Sequence, residues 1–324
     1  MTSYREAGVD LDNAERHIER ITAPVTATWT GDVIGGFGGF AAGVRIPPGY
    51  DDPVLMMSTD GVGTKLDIAR RAGRWDGVGF DLVAMCVDDL AAAGARPLGF
   101  VDYVAVGALD ADRDRAIVES VAAACLQAGC PLLGGETAEH PGVMAPDAVD
   151  LAGAVMGVVE ADMVLGPDRV SDGDVLVGLE SPNLRSNGFS LVRSVFGDRV
   201  LEHATALLDP SVIYSQAVLA AVDIGAVHAA AHITGGGLAG NLSRVLPPGL
   251  GATIEPNSWE RPSVFELISE CGVAEDEMRR IFNLGIGFVL IVAPESVSAV
   301  SAATTTHHPR VIGRIGPGSG VAFI

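Results

Sequence analysis

The chain is short of positive charge: 21 lysines and arginines stand against 41 aspartates and glutamates, a net charge of -20 over 324 residues. That balance disfavours nonspecific contact with nucleic acid or with anionic membrane surfaces. Any phosphate-bearing substrate must then be met locally, by metal ions and aimed backbone N–H groups. There are only four cysteines, Cys86, Cys125, Cys130 and Cys271, and no C-x-x-C pair. This argues against a zinc ribbon or dithiol redox site and predicts buried free thiols. No apolar run reaches the ~18 residues needed to span a bilayer. The opening residues lack the basic-then-apolar profile of a secretory signal, so the expected location is cytoplasmic. Internal repeats and low-complexity tracts are absent as well.

What is present is core-forming material. Hydrophobic residues make up 48% of the chain, and its length predicts two domains of roughly 150 residues each. The turn-rich stretch 165–174 places the boundary near 166, giving domains 1–166 and 167–324. Residues 53–59 read as a strand delivering Asp60, residues 80–93 as a helix stopped by Gly94, and residues 101–106 as a strand. A helix over 113–128 stops at Gly129, and strands follow near 131–133 and 151–159. Beyond the boundary come a strand at 175–179, helices at 190–196, 212–221 and 242–246, and a closing strand at 287–292. Strands alternating with helices give the class α/β, or α+β.

Several strings carry possible chemistry. Thr59-Asp60-Gly61-Val62-Gly63-Thr64-Lys65 offers a carboxylate for Mg²⁺, glycines that let backbone approach a polyphosphate, and a lysine as point charge. It lacks the spacing of a Walker A loop, and an ordinary glycine turn with a solvated lysine fits it equally. Asp88 and Asp89 are adjacent carboxylates near a helix C-terminus, where the dipole disfavours them. A cation would relieve this; a solvated helix end is the plain alternative. Glu136 in Gly134-Gly135-Glu136-Thr137 is a third candidate metal carboxylate, or a loop glutamate. Gly35 to Gly39 reads as a mobile loop, and Thr234-Gly235-Gly236-Gly237 before a helix can face an anion. His232 can donate to a phosphate, move a proton or serve structure. His307-His308 reads as solvated.

Together these strings resemble the phosphoribosylformylglycinamidine cyclo-ligase (aminoimidazole ribonucleotide synthetase) family nearly end to end. The resemblance rests on Tyr4-Arg5-Glu6-Ala7-Gly8-Val9-Asp10, Ile34-Gly35-Gly36-Phe37-Gly38-Gly39-Phe40, Ser58 to Lys65 and Gly79 to Leu90. It continues through Gly134 to Glu139, Ser186-Asn187-Gly188-Phe189-Ser190-Leu191-Val192-Arg193, His232 to Gly237 and Phe282-Asn283-Leu284-Gly285-Ile286-Gly287. The resemblance implies a two-domain PurM-like fold whose N-terminal sheet pairs with its copy into a dimeric barrel, with a C-terminal α/β domain. It implies ATP-dependent closure of formylglycinamidine ribonucleotide to aminoimidazole ribonucleotide, with release of ADP and phosphate, by a homodimer with no nucleic-acid or membrane partner.

By the same resemblance, Mg²⁺ is held by Asp60, Asp89 and Glu136, and Asp60, Lys65 and His232 are catalytic. ATP meets Gly36, Gly38, Gly61, Gly63, Thr64, Gly134, Gly135 and Thr137. Ser186, Asn187, Gly188 and Thr234, Gly235, Gly236 and Gly237 are assigned to the substrate, with completion of the nucleotide site as the alternative for either loop, and Arg185, from its own chemistry rather than the resemblance, is assigned to a substrate phosphate held bidentately. Two single positions depart from the family pattern, Arg185 where histidine is common and Asp88 where asparagine is frequent, and the methionine-rich stretch common after Glu139 is altered to His140-Pro141-Gly142-Val143-Met144. The alternatives are another ATP-using enzyme of the superfamily, of selenophosphate synthetase or thiamine-monophosphate kinase type, or a non-catalytic nucleotide-binding protein.

Overall fold

The computed structural model describes residues 10–324, so Tyr4 to Val9 of the first family motif lie outside the described residues. In chain order the chain forms α1 (Leu11–Thr26), β1 (Val33–Ile34), β2 (Gly43–Val44), β3 (Pro53–Gly61), α2 (Lys65–Ala72), α3 (Val78–Ala92), β4 (Arg96–Val106), α4 (Ala111–Ala128), β5 (Leu132–Glu139) and β6 (Val149–Glu160). There follow β7 (Val175–Glu180), α5 (Phe189–Phe196), α6 (Ala204–Leu207), α7 (Ser215–Val222), β8 (Val227–His232), α8 (Gly237–Leu242), β9 (Leu250–Ile254), α9 (Ser263–Glu270), α10 (Glu275–Ile281), β10 (Ile286–Val292), α11 (Val297–Ala303), β11 (Arg310–Pro317) and β12 (Gly320–Phe323). The mixed helix-and-sheet class is the one expected. Two compact units result: one holds residues up to Val87 with Pro97–Val158 and Val200–Ile213, the other Asp88–Arg96, Val159–Arg199 and Tyr214–Ile324.

The first unit is built on a four-stranded sheet in the order β3-β6-β4-β5. β4 and β5 run parallel. One face is covered by α3, whose Leu82, Val83, Met85 and Val87 are all buried. It crosses α4 at Gly79, where a Cβ would stand 2.1 Å from the Val121 nitrogen, so only glycine permits the approach. The other face follows the period-2 alternation outward: Phe100 and Val104 are buried while Val101 and Tyr103 are each 43% exposed, and on β3 Leu55 and Met57 are 49% and 74% exposed. α1 starts at Asp10, whose carboxylate accepts the Asp12 and Asn13 N–H groups, a standard N-cap. Beyond its C-terminus the chain is pinned to β5: Trp29 Nε1 donates to the Leu132 carbonyl at 2.7 Å, and the Leu132 N–H donates to Thr28 Oγ1 at 2.9 Å.

The second unit holds a six-stranded sheet, order β12-β9-β11-β7-β10-β8, antiparallel apart from the β12–β9 pair. All seven β10 residues are buried, the pattern of a strand covered on both faces. Residues 287–292 were expected to close the fold; instead β10 lies between β7 and β8, and β11 and β12 come after it. The helix expected at 242–246 is α8, five residues earlier, because Gly237 and Gly240 weaken its sequence signature. α9 to α11 have eight, seven and seven residues, too short for periodicity to announce. All four cysteines are free; Cys271 is half-buried and the other three are buried. Burial pushes the Cys130 thiol up to about 12.

Candidate active site

Within the first unit, a cavity of about 420 Å³ opens between α1, the glycine loop 36–42, β4 and β5. It gathers Gly36, Gly38, Gly134, Gly135, Glu136 and Thr137 from the expected set. Gly61, Gly63 and Thr64 do not line it. Two residues that sequence reasoning missed do. Asp102 comes from β4, and its Oδ2 is sealed from solvent without a hydrogen-bond partner; desolvation pushes the carboxyl up to about 7. His17 comes from α1, is 5% exposed, and has an unpartnered Nδ1, while its Nε2 pairs with Thr137 Oγ1 at 3.2 Å. Burial holds its imidazole below the ordinary histidine range, against the opposing pull of Asp114. Buried polar atoms without partners are rare, because each loses its hydration for nothing. The signal for Asp102 lay in strand parity: it shares its phase with buried Phe100 and Val104, where an acid is out of place.

The lysine of the first motif corrects the expectation made of it. Lys65 is 1% exposed, and its Nζ donates to Asp81 Oδ1 at 2.8 Å and to the Asp209 carbonyl at 3.0 Å. Ser211 completes the cage, its N–H and Oγ both donating to Asp81 Oδ1. Desolvation raises the Asp81 carboxyl above its usual range, with Lys65 opposing. An ammonium consumed by a buried ion pair does not face a triphosphate, so here Lys65 anchors the start of α2. Asp60, by contrast, is exposed at the end of β3, one of its oxygens accepting the Gly61 N–H.

The three expected metal carboxylates do not form a ready-made cage. Asp60 is on β3 and Glu136 on β5, the two outer strands of the four-stranded sheet. Three strand spacings separate them, about 14 Å, so within one protomer they do not grip one ion. Among the described residues no group of three or more His, Cys, Asp or Glu side chains is placed to hold a metal. Asp89 belongs to the second unit, where it is exposed. The donor chemistry still suits Mg²⁺, which keeps several waters and takes one or two carboxylates plus substrate phosphates rather than a protein cage.

In the second unit a buried chain of charges replaces two expected roles. Arg185 Nη2 donates to Asp88 Oδ2 at 2.6 Å, both side chains 0% exposed. Its Nη1 lies 2.5 Å from His232 Nε2. A guanidinium only donates, so Nε2 accepts, and the imidazole proton is on Nδ1, which donates to Asp89 Oδ1 at 2.8 Å. Asp88 Oδ1 accepts the Tyr214 and Ser215 N–H groups at the start of α7. Arg185 pays for this position with φ 60°, a left-handed conformation that a long side chain rarely adopts. Arg185 is therefore enclosed instead of meeting a substrate phosphate, and His232 has both nitrogens engaged instead of a free one for proton transfer. The two departures from the family pattern, Arg185 and Asp88, are the two ends of one ion pair. His307, expected to be solvated, is half-buried with its ring 4.8 Å from that of Tyr214.

The two expected substrate strings do come together: the Gly235 N–H donates to Asn187 Oδ1 at 3.0 Å. Asn241 from α8 ties the glycine turn by donating to the Gly237 carbonyl at 2.8 Å. Ser186, Asn187, Gly188 and Thr234 are half-buried, Gly235 and Gly236 are exposed, and Gly237 is buried.

Comparison with known proteins fits this arrangement. The family model described as AIR synthase related protein, N-terminal domain, matches residues 39–159, and its C-terminal counterpart matches residues 171–324. A phosphoribosylformylglycinamidine cyclo-ligase of Anaeromyxobacter dehalogenans is 46% identical, covering 93% of this chain and 91% of its own. One from Sorangium cellulosum is 48% identical over 90% and 88%. Among solved structures, thiamine-monophosphate kinase from Stenotrophomonas maltophilia aligns with TM-score 0.69 at 22% identity, over 94% of both chains. The hydrogenase maturation protein HypE in complex with ATP aligns at 0.65 and 20%, over 93% of this chain and 84% of that one. These last two show the shared PurM-like fold. Sequence and structure together place the chain in the phosphoribosylformylglycinamidine cyclo-ligase family.

Proposed function

We infer that the chain closes the imidazole ring of aminoimidazole ribonucleotide: ATP phosphorylates the formamide oxygen of formylglycinamidine ribonucleotide, and the internal amidine nitrogen then displaces phosphate from that carbon. Family membership supports the reaction. The observation that supports the site is the cavity under the glycine loop, where the expected nucleotide-binding glycines meet two sealed, unpaired polar atoms. The loop 36–42 excludes water over the transferring phosphate. Ser186, Asn187, Gly188 and Thr234 to Gly237 hold the ribonucleotide, and near-attack positioning of nitrogen and carbon supplies much of the ring closure. Mg²⁺, when bound, would offset charge on the triphosphate; Asp60 and Glu136, too far apart to share one ion, would each serve as a single carboxylate ligand beside water and phosphate oxygens. His232, fixed by Arg185, orients Asp89. A thiamine-monophosphate kinase-type activity has only the shared fold in its favour.

The test is to mix the purified chain with formylglycinamidine ribonucleotide and Mg·ATP and to follow ADP and the aminoimidazole product. ADP release that ignores the ribonucleotide would count against the reading. Asp60→Asn should lower turnover at least ~10²-fold, the scale of one electrostatic catalytic group, with an unchanged melting temperature because Asp60 is exposed. A wild-type rate would remove Asp60 from the site.

We further propose a cytoplasmic homodimer joined through the sheet face that carries Leu55 and Met57 on β3 and Val101 and Tyr103 on β4, all four exposed large hydrophobic residues. Met57→Glu puts a charge at its most exposed point and should yield monomers in sedimentation. A dimer of undiminished strength would place the interface elsewhere.

A further inference from the structure

We propose that Asp89 receives the amidinium group of the ribonucleotide substrate, its carboxylate accepting one N–H from each amidine nitrogen. The inference rests on the reading that the chain binds formylglycinamidine ribonucleotide through the loops 186–188 and 234–237. Asp89 belongs to the unit that carries those loops and does not line the cavity assigned to the nucleotide. Its side chain is 45% exposed, yet it is held from behind: His232, with a side chain 3% exposed, donates Nδ1–H to Asp89 Oδ1 at 2.8 Å. The imidazole is itself fixed, stacked on Phe288 across the β8–β10 pair with ring centroids 5.9 Å apart and bonded at Nε2 by Arg185 Nη1. Because a guanidinium only donates, the ring between them is neutral, and Asp89 keeps its negative charge for a ligand. Gly235, whose N–H donates to Asn187 Oδ1, follows His232 by three residues, a reach of at most about 10 Å. That is the scale of a ribose 5-phosphate with its phosphate at the loops and its amidine at Asp89.

The substrate's amidine is what suits this carboxylate. An amidine is basic enough to hold a proton near neutral pH, and its cation is a planar fork with an N–H on each nitrogen, the geometry that makes a guanidinium a bidentate partner of carboxylates. Each carboxylate oxygen has two lone pairs, so Oδ1 accepts from His232 and from the ligand together. Asp89 stands near the C-terminal end of α3, where the helix dipole disfavours an anion, and a cationic ligand offsets that penalty. The amide analogue of the substrate, with a carbonyl oxygen in place of one amidine nitrogen, brings neither the charge nor the second donor. It sets lone pair against lone pair.

The experiment measures equilibrium binding of formylglycinamidine ribonucleotide, its amide analogue and ribose 5-phosphate to the intact chain, without ATP and with a chelator present, and then steady-state ADP release with Mg·ATP. Wild type should prefer the amidine over the amide roughly 10- to 100-fold, the span of one hydrogen bond to a charged group. Asp89→Asn should bind the amidine about as weakly as wild type binds the amide, and should bind ribose 5-phosphate as wild type does. In turnover it should raise KM for the ribonucleotide at least ~10-fold, with KM for ATP and the Mg²⁺ requirement unchanged. Equal wild-type binding of amidine and amide overturns the inference alone, whatever the variant does. So does an amidine preference that persists in Asp89→Asn, or a defect in that variant that extra Mg²⁺ repairs, which would give Asp89 to the metal. Binding of none of the three ligands, together with ADP release that ignores the ribonucleotide, would instead remove the substrate assignment, and the inference with it.

Discussion

Arg185→Met alone should destabilise the protein by about 3–5 kcal/mol, while Arg185→Met combined with Asp88→Asn recovers most of that loss. The single variant strands the Asp88 carboxylate at 0% exposure with the Tyr214 and Ser215 N–H groups as its remaining hydrogen bonds and His232 Nε2 4.0 Å away, and removing one partner of a buried pair carries a cost on that scale. The double variant discards both charges, and the asparagine oxygen still accepts the two N–H groups that start α7. Urea unfolding of the four proteins of the cycle gives the coupling directly. Additive effects would mean that the two departures from the family pattern are independent, contrary to their 2.6 Å contact.

Asp102→Asn should be more stable than wild type at pH 8, by up to about 4 kcal/mol in the absence of nucleotide, and should lose that advantage by about pH 4. The sign follows from linkage. The folded carboxyl titrates near 7 against an ordinary value of 3.8, so the native state keeps a proton that the unfolded chain has released. Stability is therefore full below about 4 and falls as pH rises toward 7, at 1.36 kcal/mol per unit. Asparagine has no such slope. Parallel melting curves for the two proteins from pH 4 to pH 8 would show that the carboxyl is hydrated after all.

Where a residue's neighbours are close in sequence, the sequence announced it. Gly94 and Gly129 were expected to stop helices and have φ of 81° and 66°; the strands expected at 53–59 and 101–106 lie within β3 and β4. Lys65, Arg185 and His232 were misjudged for the opposite reason. Each looks like a solvent-facing functional group in its motif, and the partner that consumes it is far along the chain: Asp81 and Asp209 for Lys65, Asp88 for Arg185, Asp89 for His232. Pairings over such separations leave no periodic trace. Asp102 was missed because no motif contains it, although an acid in phase with Phe100 and Val104 was visible.

The return of residues 200–213 to the first unit bears on any attempt to study that unit by itself. A fragment ending near residue 166 would carry Lys65 and Asp81 but not the Asp209 carbonyl or the two Ser211 donors that enclose them. Truncation would thus open a sealed ionic contact to water, and an N-terminal piece intended to report on nucleotide binding would begin from a loosened α2. Fusing 200–213 back through a short linker is the manipulation that the chain's own path recommends.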